Sequence, residues 1–222
     1  MNIIITGGTK GLGLELMYHL SKDNKVIILG RSKEKKYKNN NCEFFSCDIR
    51  NSKKVEKTVN AIIKKYNKID VLINNAGCYS RGKLEEENNE RIKIVFDTNI
   101  LGTVYMTKAV LPYMKKNGEG LIININSQIG NSVIDNRCIY QTSKWALTGF
   151  TKSLEKDILQ CGIRVTDVFL GPLEKGMVYH DKKVLRKSGY VKYIEVCKLI
   201  DYLLSIPNEI YIPEIGIRHI DS

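Results

Sequence analysis

The chain begins with the stretch N-I-I-I-T-G-G-T-K-G-L-G, residues 2–13, in which an apolar run ends abruptly in glycines. The run from Ile3 to Ile5 predicts a short strand that is covered on both faces, as in a parallel sheet. The glycines predict a tight turn, and a helix is predicted after it, carrying Leu14, Leu16, Met17 and Leu20. A strand, a turn and a helix in this order begin a βαβ unit, so the stretch predicts an α/β fold.

The rest of the chain repeats this alternation of strands and helices. Further strands are predicted at Lys25–Gly30, Glu43–Ile49, Asp70–Ile73, Leu121–Asn126 and Ile163–Leu170, with a last one between Glu209 and Ile220 that Pro213 can interrupt. The sequence contains no internal repeat or low-complexity linker. We therefore predict a single domain, residues 1–222, built as a three-layer, doubly wound parallel sheet of the Rossmann type with strand order 3-2-1-4-5-6-7.

The glycine turn after the first strand is suited to binding an anion. Gly7, Gly11 and Gly13 let backbone N–H groups approach a pyrophosphate at the positive end of the following helix. The turn is not a P-loop, because that motif has a lysine directly after its last glycine, whereas Leu12 follows Gly11 here. A glycine cluster alone is a weak indication of a nucleotide site, so other motifs have to support it.

A second group of polar residues lies near the middle of the chain. Ser127 ends an apolar strand, so its hydroxyl is expected at the carboxyl edge of the sheet, where open α/β sheets bind ligands. Tyr140 and Lys144 are four residues apart and share one face of a predicted helix, which brings the ammonium near the phenol. Such a pair alone is typical of an exposed helix, but here a serine precedes the tyrosine by thirteen residues and Asn74–Gly77 reads N-N-A-G.

With these motifs in order, the chain resembles the classical short-chain dehydrogenases/reductases. The matching motifs are T-G-x-x-x-G-x-G from Thr6, N-N-A-G from Asn74, the serine at 127 and Y-x-x-x-K from Tyr140. The resemblance extends from Asn2 to about Gly171. It implies an oxidoreductase that interconverts a ketone or aldehyde and an alcohol by hydride transfer, with a 3-oxoacyl thioester as one candidate substrate.

The resemblance also implies a catalytic tetrad of Asn99, Ser127, Tyr140 and Lys144. Reduction of a carbonyl group places negative charge on its oxygen, which Ser127 and Tyr140 are expected to stabilise as hydrogen-bond donors. Tyr140 is expected to act as the acid/base, with its pKa lowered by the nearby ammonium of Lys144. Lys144 is also expected to hold the nicotinamide ribose, and Asn99 to replenish the proton through water.

A set of cofactor-binding residues follows from the same resemblance. It comprises Gly7, Thr9, Lys10, Gly11, Leu12 and Gly13 in the turn, Arg31 after the second strand, Asp48 and Ile49 at the adenine, Asn75, Ala76, Gly77, Tyr140 and Lys144 at the nicotinamide ribose, and Gly171, Pro172 and Leu173 at the carboxamide. The last segment departs from the family pattern, because Leu170 precedes Gly171 where proline is usual and Lys175 stands in the place of a threonine.

Two cations bear on the choice of cofactor. An acidic residue after the second strand would bind the ribose 2′-hydroxyl, whereas Arg31 can pair with a 2′-phosphate. Lys10 stands where NADP-preferring relatives have a second cation. Both could be ordinary surface residues in a lysine-rich chain, but their positions favour NADP(H), with NAD(H) as the alternative.

Composition narrows the other possibilities. The net charge is +11, but the lysines are scattered rather than gathered in one arm, so we expect no nucleic-acid partner. No apolar run is long enough for a signal peptide or a membrane span, which predicts a cytoplasmic protein without a membrane partner. The six cysteines lack C-x-x-C spacing and histidine partners, so no metal site or disulfide is predicted.

Residues 173–190 are predicted to form the substrate loop. Five of the thirteen residues from Lys175 to Lys187 are lysine or arginine, which suggests an anionic or carrier-bound substrate, although the lysine-rich composition also explains them. The resemblance also implies a homodimer or homotetramer, because relatives associate through the two long helices that correspond to those around Tyr113 and Leu147. Two other functions fit the sequence less well: an NADP-binding sensor or scaffold without turnover, which has no need of a complete tetrad, and a nucleic-acid-binding protein, which the scattered lysines argue against.

Overall fold

A computed structural model describes residues 1–32, 40–175 and 189–221. These residues form one seven-stranded sheet in which every pairing is parallel, in the order β3-β2-β1-β4-β5-β6-β7. The predicted fold class and strand order are confirmed. The strands are β1 (Asn2–Thr6), β2 (Lys25–Gly30), β3 (Cys42–Ser46), β4 (Val71–Asn74), β5 (Gly120–Ser127), β6 (Ile163–Leu170) and β7 (Glu214–Ile217).

Helices cover both faces of the sheet. The described ones are α1 (Gly11–Leu20), α2 (Ser52–Tyr66), α3 (Asn89–Phe96), α4 (Gly102–Asn117), α5 (Cys138–Ile158) and α6 (Tyr193–Ser205). A π-helical turn, Asp97–Leu101, joins α3 directly to α4. Among these helices, none is long and apolar enough to cross a lipid bilayer.

Alternating strand residues supply two separate cores, because successive side chains point to opposite faces. Ile3 and Ile5 of β1 pack with residues of α1 and α6, whereas Ile4 packs with residues of α2 and α4 on the other face. All three isoleucines are fully buried. Burial of one such side chain contributes about 1.5–3 kcal/mol, which explains why continuous apolar runs form the central strands.

The largest differences from the predicted strand boundaries are at the end of β3 and at the start of the last strand. Strand β3 ends at Ser46 instead of Ile49, because the main chain turns there: Asp48 Oδ1 accepts a hydrogen bond from Arg50 N at 3.1 Å and Asn51 caps α2. The last strand begins directly after Pro213, whose carbonyl still accepts a hydrogen bond from Asp167 N at 2.9 Å. Proline has no N–H to donate, so the regular ladder starts at the next residue.

The predicted substrate loop lies largely outside the described residues, since residues 176–188 are not among them. Most of its basic cluster lies there as well. At the two ends of this gap, Leu173 pairs with Val191 in a short parallel bridge, and Val191 N donates a hydrogen bond to Pro172 O at 2.8 Å.

Candidate active site

The predicted catalytic residues meet at the carboxyl edge of the sheet. Ser127 is the last residue of β5, and Tyr140 and Lys144 lie one helical turn apart on α5. The Ser127 hydroxyl lies close enough to the Tyr140 phenol to lower its pKa. Lys144 Nζ lies 5.9 Å from the centre of the Tyr140 ring. The structure therefore brings together three residues that are separated along the chain.

The phenol of Tyr140 is buried, with 7% of the residue exposed. Burial raises the pKa of Tyr140 above its ordinary value, while the hydrogen bond with Ser127 and the charge of Arg137 lower it. The net shift is upward in the protein alone, opposite to the direction expected from the neighbouring lysine. Desolvation of the phenolate therefore outweighs the nearby positive charges.

Lys144 is the buried cation of this site, with 6% exposed. Its ammonium donates a hydrogen bond to the main-chain carbonyl of Ile125 at 2.9 Å, which fixes it beneath the end of β5. Burial lowers the pKa of Lys144 to about 8, and the negative charge of Asp167 acts in the opposite direction. The negative charge of Asp167 therefore favours the ammonium form of Lys144, and the sequence analysis did not predict this interaction.

Asn99 lies in the π-helical turn and is almost fully buried. Its Oδ1 accepts a hydrogen bond from Cys78 N at 2.7 Å, and its Nδ2 donates to Cys78 O and to Ser143 Oγ, both at 2.9 Å. The Ser143 hydroxyl donates in turn to Tyr140 O at 2.7 Å. Asn99 therefore joins the segment after β4 to the helix that carries Tyr140.

Asp167 was not predicted as part of the site. It lies on β6 with 1% exposed, and its Oδ2 accepts a hydrogen bond from Asn126 Nδ2 at 2.9 Å. Its Oδ1 is buried and has no hydrogen-bond partner within the part of the chain that the structure describes. Burial raises the pKa of Asp167 to about 6, whereas Asn126 and Lys144 lower it. An acid inside the apolar run of β6 is the signal that could have identified it.

Tyr79 and Arg137 form a second unpredicted part of the site. The Tyr79 ring meets the Tyr140 ring edge-on, with 5.0 Å between the ring centres. Arg137 directly precedes α5, and its Nε donates a hydrogen bond to the Tyr79 hydroxyl at 2.9 Å. The signals in the sequence were their positions, since Tyr79 follows the N-N-A-G segment closely and Arg137 stands one helical turn before Tyr140.

The glycine turn leaves no room for larger side chains. Gly7 and Gly11 have φ angles of 67° and 56°, a region that favours glycine. A Cβ atom at Gly13 would lie 2.4 Å from the main-chain oxygen of Gly7. Lys10 provides no side-chain cap for α1, and the first turn of the helix contains no acid. The first N–H groups of α1 therefore suit an anionic group such as a pyrophosphate.

The N-N-A-G segment packs against this turn. The Thr6 hydroxyl accepts hydrogen bonds from the main-chain N–H groups of Asn75 and Ala76, at 3.1 and 3.0 Å. Asn75 Nδ2 donates to Thr6 O at 2.9 Å and to Gly7 O at 3.3 Å. The Asn75 side chain thus stabilises the turn itself.

The residues predicted around the adenosine lie on neighbouring loops. A Cβ atom at Gly30 would lie 2.6 Å from Thr9 Cγ2, so the loops that carry Lys10 and Arg31 are adjacent. Both cations are exposed. Asp48 is paired with Arg50, whose Nη2 lies 2.6 Å from Asp48 Oδ2.

The other predicted cofactor residues either pack in the apolar cores or lie in the segment after β6. Leu12 and Ile49 are each 7% exposed and belong to the two apolar cores. Gly171 N donates a hydrogen bond to Ile217 O at 2.8 Å, which ties the end of β6 to β7. Gly171, Pro172 and Leu173 continue from β6 past the carboxyl edge of the sheet.

Comparison with known proteins agrees with this geometry. A family described as short chain dehydrogenase matches residues 1–184. The chain is 30% identical to the 3-oxoacyl-acyl-carrier-protein reductase FabG of Buchnera aphidicola, over 91% of this chain and 89% of the relative. This match and the family match extend well beyond the motifs themselves.

Solved structures give the same result. Serine dehydrogenase from Escherichia coli superposes with a TM-score of 0.89 at 26% identity, covering 100% of this chain and 99% of the other. A closed form of serine dehydrogenase complexed with NADP⁺ reaches a TM-score of 0.92, also at 26% identity, over 100% and 96% of the two chains. The sheet order, the glycine turn and these matches together show that the chain belongs to the short-chain dehydrogenase/reductase family of oxidoreductases.

Proposed function

We propose that this protein is an NADP(H)-dependent oxidoreductase that interconverts a ketone or aldehyde and the corresponding alcohol. The observation that carries the proposal is the meeting of Ser127, Tyr140 and Lys144 at the carboxyl edge of the sheet, the edge at which the glycine turn also follows β1. A nicotinamide dinucleotide, when bound, supplies or accepts the hydride. The protein's own contribution is to orient the carbonyl group and to move one proton.

Ser127 and Tyr140 carry the polar chemistry in this proposal. As negative charge develops on the substrate oxygen, both hydroxyls donate hydrogen bonds to it, and Tyr140 releases its proton. Burial opposes the phenolate that remains, so a cation close to the ring is required. Lys144 is the buried candidate for that role, and its pKa of about 8 leaves most of the ammonium charged at neutral pH.

The remaining site residues would hold the cofactor. Gly7, Gly11 and Gly13 allow close approach of a pyrophosphate to the first turn of α1, and Lys10 and Arg31 would flank a ribose 2′-phosphate. Lys144 would bind the nicotinamide ribose. Relatives solved with NADP support this choice of dinucleotide over NAD(H).

The substrate class follows from two relatives with different printed activities. One is a reductase of 3-oxoacyl groups on a carrier protein, and the other is a dehydrogenase of serine, a hydroxy acid with a carboxylate. In both substrates an oxo or hydroxyl group lies close to a second carbonyl group, the thioester in one and the carboxylate in the other. A 3-oxoacyl thioester or a small oxo acid is therefore our first choice of substrate to test.

Replacing Tyr140 by phenylalanine tests the proposal, because this change removes the acidic proton and keeps the ring. We expect turnover of oxo acids, ketones, aldehydes and acyl thioesters to fall by about 10²–10⁴-fold, with NADPH still bound. Tyr113→Phe is a matched control on α4, where the hydroxyl donates a hydrogen bond to Asn60 Oδ1 at 2.7 Å. Turnover within a few-fold of the wild-type value in Tyr140→Phe would contradict the role of Tyr140.

The alternative of an NADP-binding sensor or scaffold predicts a different result in the same experiment. Such a protein would bind NADPH but would not oxidise it with any member of the substrate panel. The Ser127 hydroxyl beside the buried phenol of Tyr140 and the fixed ammonium of Lys144 favour the enzyme, because binding alone requires neither.

We also propose that the enzyme is a homo-oligomer assembled through α4 and α5. An open groove between these helices is lined largely by apolar side chains, including Leu111, Phe150 and Leu154. Trp145 of α5 is 48% exposed. Light scattering coupled to gel filtration would distinguish a dimer or tetramer from a monomer, and a monomer at micromolar concentration would contradict this proposal.

A further inference from the structure

Arg137 is a cation that forms no ion pair with an acidic side chain among the residues that the structure describes. Its Nε donates to the Tyr79 hydroxyl at 2.9 Å, and its Nη1 makes a long hydrogen bond of 3.4 Å to Asp135 O. Within residues 1–32, 40–175 and 189–221, its Nη2 has no hydrogen-bond partner and no carboxylate pairs with it. A half-buried guanidinium of this kind retains donors for a planar anion, which it can bind in a two-pronged manner.

Arg137 is also close enough to Tyr140 to influence it. The Tyr79 ring that it contacts lies 5.0 Å from the Tyr140 ring, centre to centre. Its positive charge lowers the pKa of Tyr140, although burial dominates the net shift. An anion bound by Arg137 would therefore lie within a small molecule's length of the phenol.

Tyr79 itself is held from two sides. Arg91 donates a hydrogen bond to the Tyr79 carbonyl, and Arg137 donates to its hydroxyl. The ring position is thus fixed without a contribution from ligand. Fixed partners are favourable for recognition, because little side-chain freedom is lost when an anion binds.

We propose that Arg137 binds an anionic substituent of the substrate, a carboxylate attached close to the reacting carbonyl or alcohol carbon, with Tyr79 fixing the guanidinium. This inference rests on the proposed function and specifies its substrate as a short oxo acid or hydroxy acid. The basic residues between Lys175 and Lys187 were expected to attract an anionic substrate by their combined charge. The present inference instead assigns recognition of the carboxylate to Arg137, close to Tyr140.

The first test compares substrates that differ only in charge. Acetoacetate and its neutral amide are reduced with NADPH by the wild type and by Arg137→Gln, Arg137→Lys and Lys152→Gln. We expect the wild type to prefer the acid in kcat/KM, and Arg137→Gln to lose about 10- to 100-fold for the acid, as for a charge-assisted hydrogen bond, with the amide little changed. Arg137→Lys should retain part of the preference.

Lys152→Gln is the matched control, because it removes one positive charge, at an exposed ion pair with Glu214, from the helix that Arg137 directly precedes. It should leave the preference for the acid unchanged. An equal ratio of acid to amide in the wild type and in Arg137→Gln would overturn the inference.

The second test does not depend on turnover. Binding of 3-hydroxybutyrate and 3-hydroxybutanamide to the NADPH-bound protein is measured by calorimetry, since the alcohol and the reduced cofactor cannot react. Binding of the acid that weakens at least tenfold in Arg137→Gln supports the inference even if no reduction is found, in which case only the proposed function fails. Tyr140-dependent reduction of neutral ketones, with no acid bound, overturns the inference and leaves the proposed function intact.

Discussion

Asn99 and Cys78 exchange two hydrogen bonds, from Cys78 N to Asn99 Oδ1 at 2.7 Å and from Asn99 Nδ2 to Cys78 O at 2.9 Å. The Asn99 side chain thus pairs with both main-chain groups of Cys78, as the main chain of a neighbouring strand would. The π-helical turn makes this possible, because an extra residue in the helix redirects one side chain inward, and such turns are frequent at functional sites.

Replacing Asn99 by alanine should therefore reduce both stability and activity. The lost hydrogen bonds leave the partly buried N–H and C=O groups of Cys78 without the Asn99 partner, which lowers the free energy of unfolding by about 1–3 kcal/mol. Release of Ser143 and Tyr140 should lower kcat on the order of 10²-fold. Urea unfolding and steady-state kinetics measure the two effects.

Asn124→Ala is the matched control for Asn99→Ala. Asn124 is fully buried and bonds to Asn74 and Thr151, both at 2.9 Å. We expect a similar loss of stability with kcat close to the wild-type value. An equal fall in kcat in both variants would show that Asn99 acts only through general stability.

Gly13→Ala should damage the fold at the nucleotide turn. Its Cβ would lie 2.4 Å from Gly7 O and 2.5 Å from Asn75 Nδ2, so the main chain has to move. We expect a loss of about 1–3 kcal/mol in unfolding free energy and weaker NADPH binding, measured by denaturation and fluorescence titration. Gly149→Ala, in open space on α5, should be stabilising by about 0.5–1 kcal/mol. Similar behaviour of the two variants would disprove the role of close packing at Gly13.

The proposed preference for NADP(H) predicts that Arg31→Asp weakens NADPH binding by about 10- to 100-fold and leaves NADH binding unchanged or improved. The change removes an ion pair with the 2′-phosphate and adds repulsion. Lys116→Asp makes the same change of charge at the end of α4, near the opposite edge of the sheet, and should affect neither cofactor. Equal affinity of the wild type for both cofactors would contradict the preference.

Asp167→Asn should change the pH dependence of stability. Burial raises the pKa of Asp167 to about 6 in the folded protein, so its ionisation destabilises the fold as pH rises from about 4 to above 6. Relative to the variant, the wild type should lose about 2–3 kcal/mol of unfolding free energy between pH 4 and pH 7. Chemical denaturation at several pH values measures this difference.

The same substitution should affect catalysis at high pH. Burial lowers the pKa of Lys144 to about 8 and Asp167 opposes that shift, so removal of the carboxylate should lower the pKa of Lys144 further. The alkaline limb of the pH–kcat profile should then move to lower pH. Thr151→Val is the uncharged control, since Thr151 is buried on the same helix as Lys144 and accepts a hydrogen bond from Asn124 at 2.9 Å, and its profile should stay in place. An identical profile in Asp167→Asn and the wild type would contradict an effect of Asp167 on the pKa of Lys144.

Local pattern determined much of this protein. Runs such as Ile3–Ile5 predicted the buried strands because covering both faces of a strand requires apolar residues throughout, and the alternation of strands and helices predicted a doubly wound parallel sheet. The spacing of Tyr140 and Lys144 predicted their shared helix face, because the α-helix repeats every 3.6 residues. The predicted end of β3 was wrong, since the turn at Asp48 depends on hydrogen bonds rather than on a hydrophobic pattern.

Only the tertiary structure decided which distant residues complete the site. Tyr79 and Arg137 are 58 residues apart, and Asp167 reaches Asn126 across 41 residues, through pairings that no local pattern encodes. The direction of the Tyr140 pKa shift was also decided there. It depends on the balance between desolvation and nearby charge, and that balance is set by how completely the packed layers exclude water from the phenol.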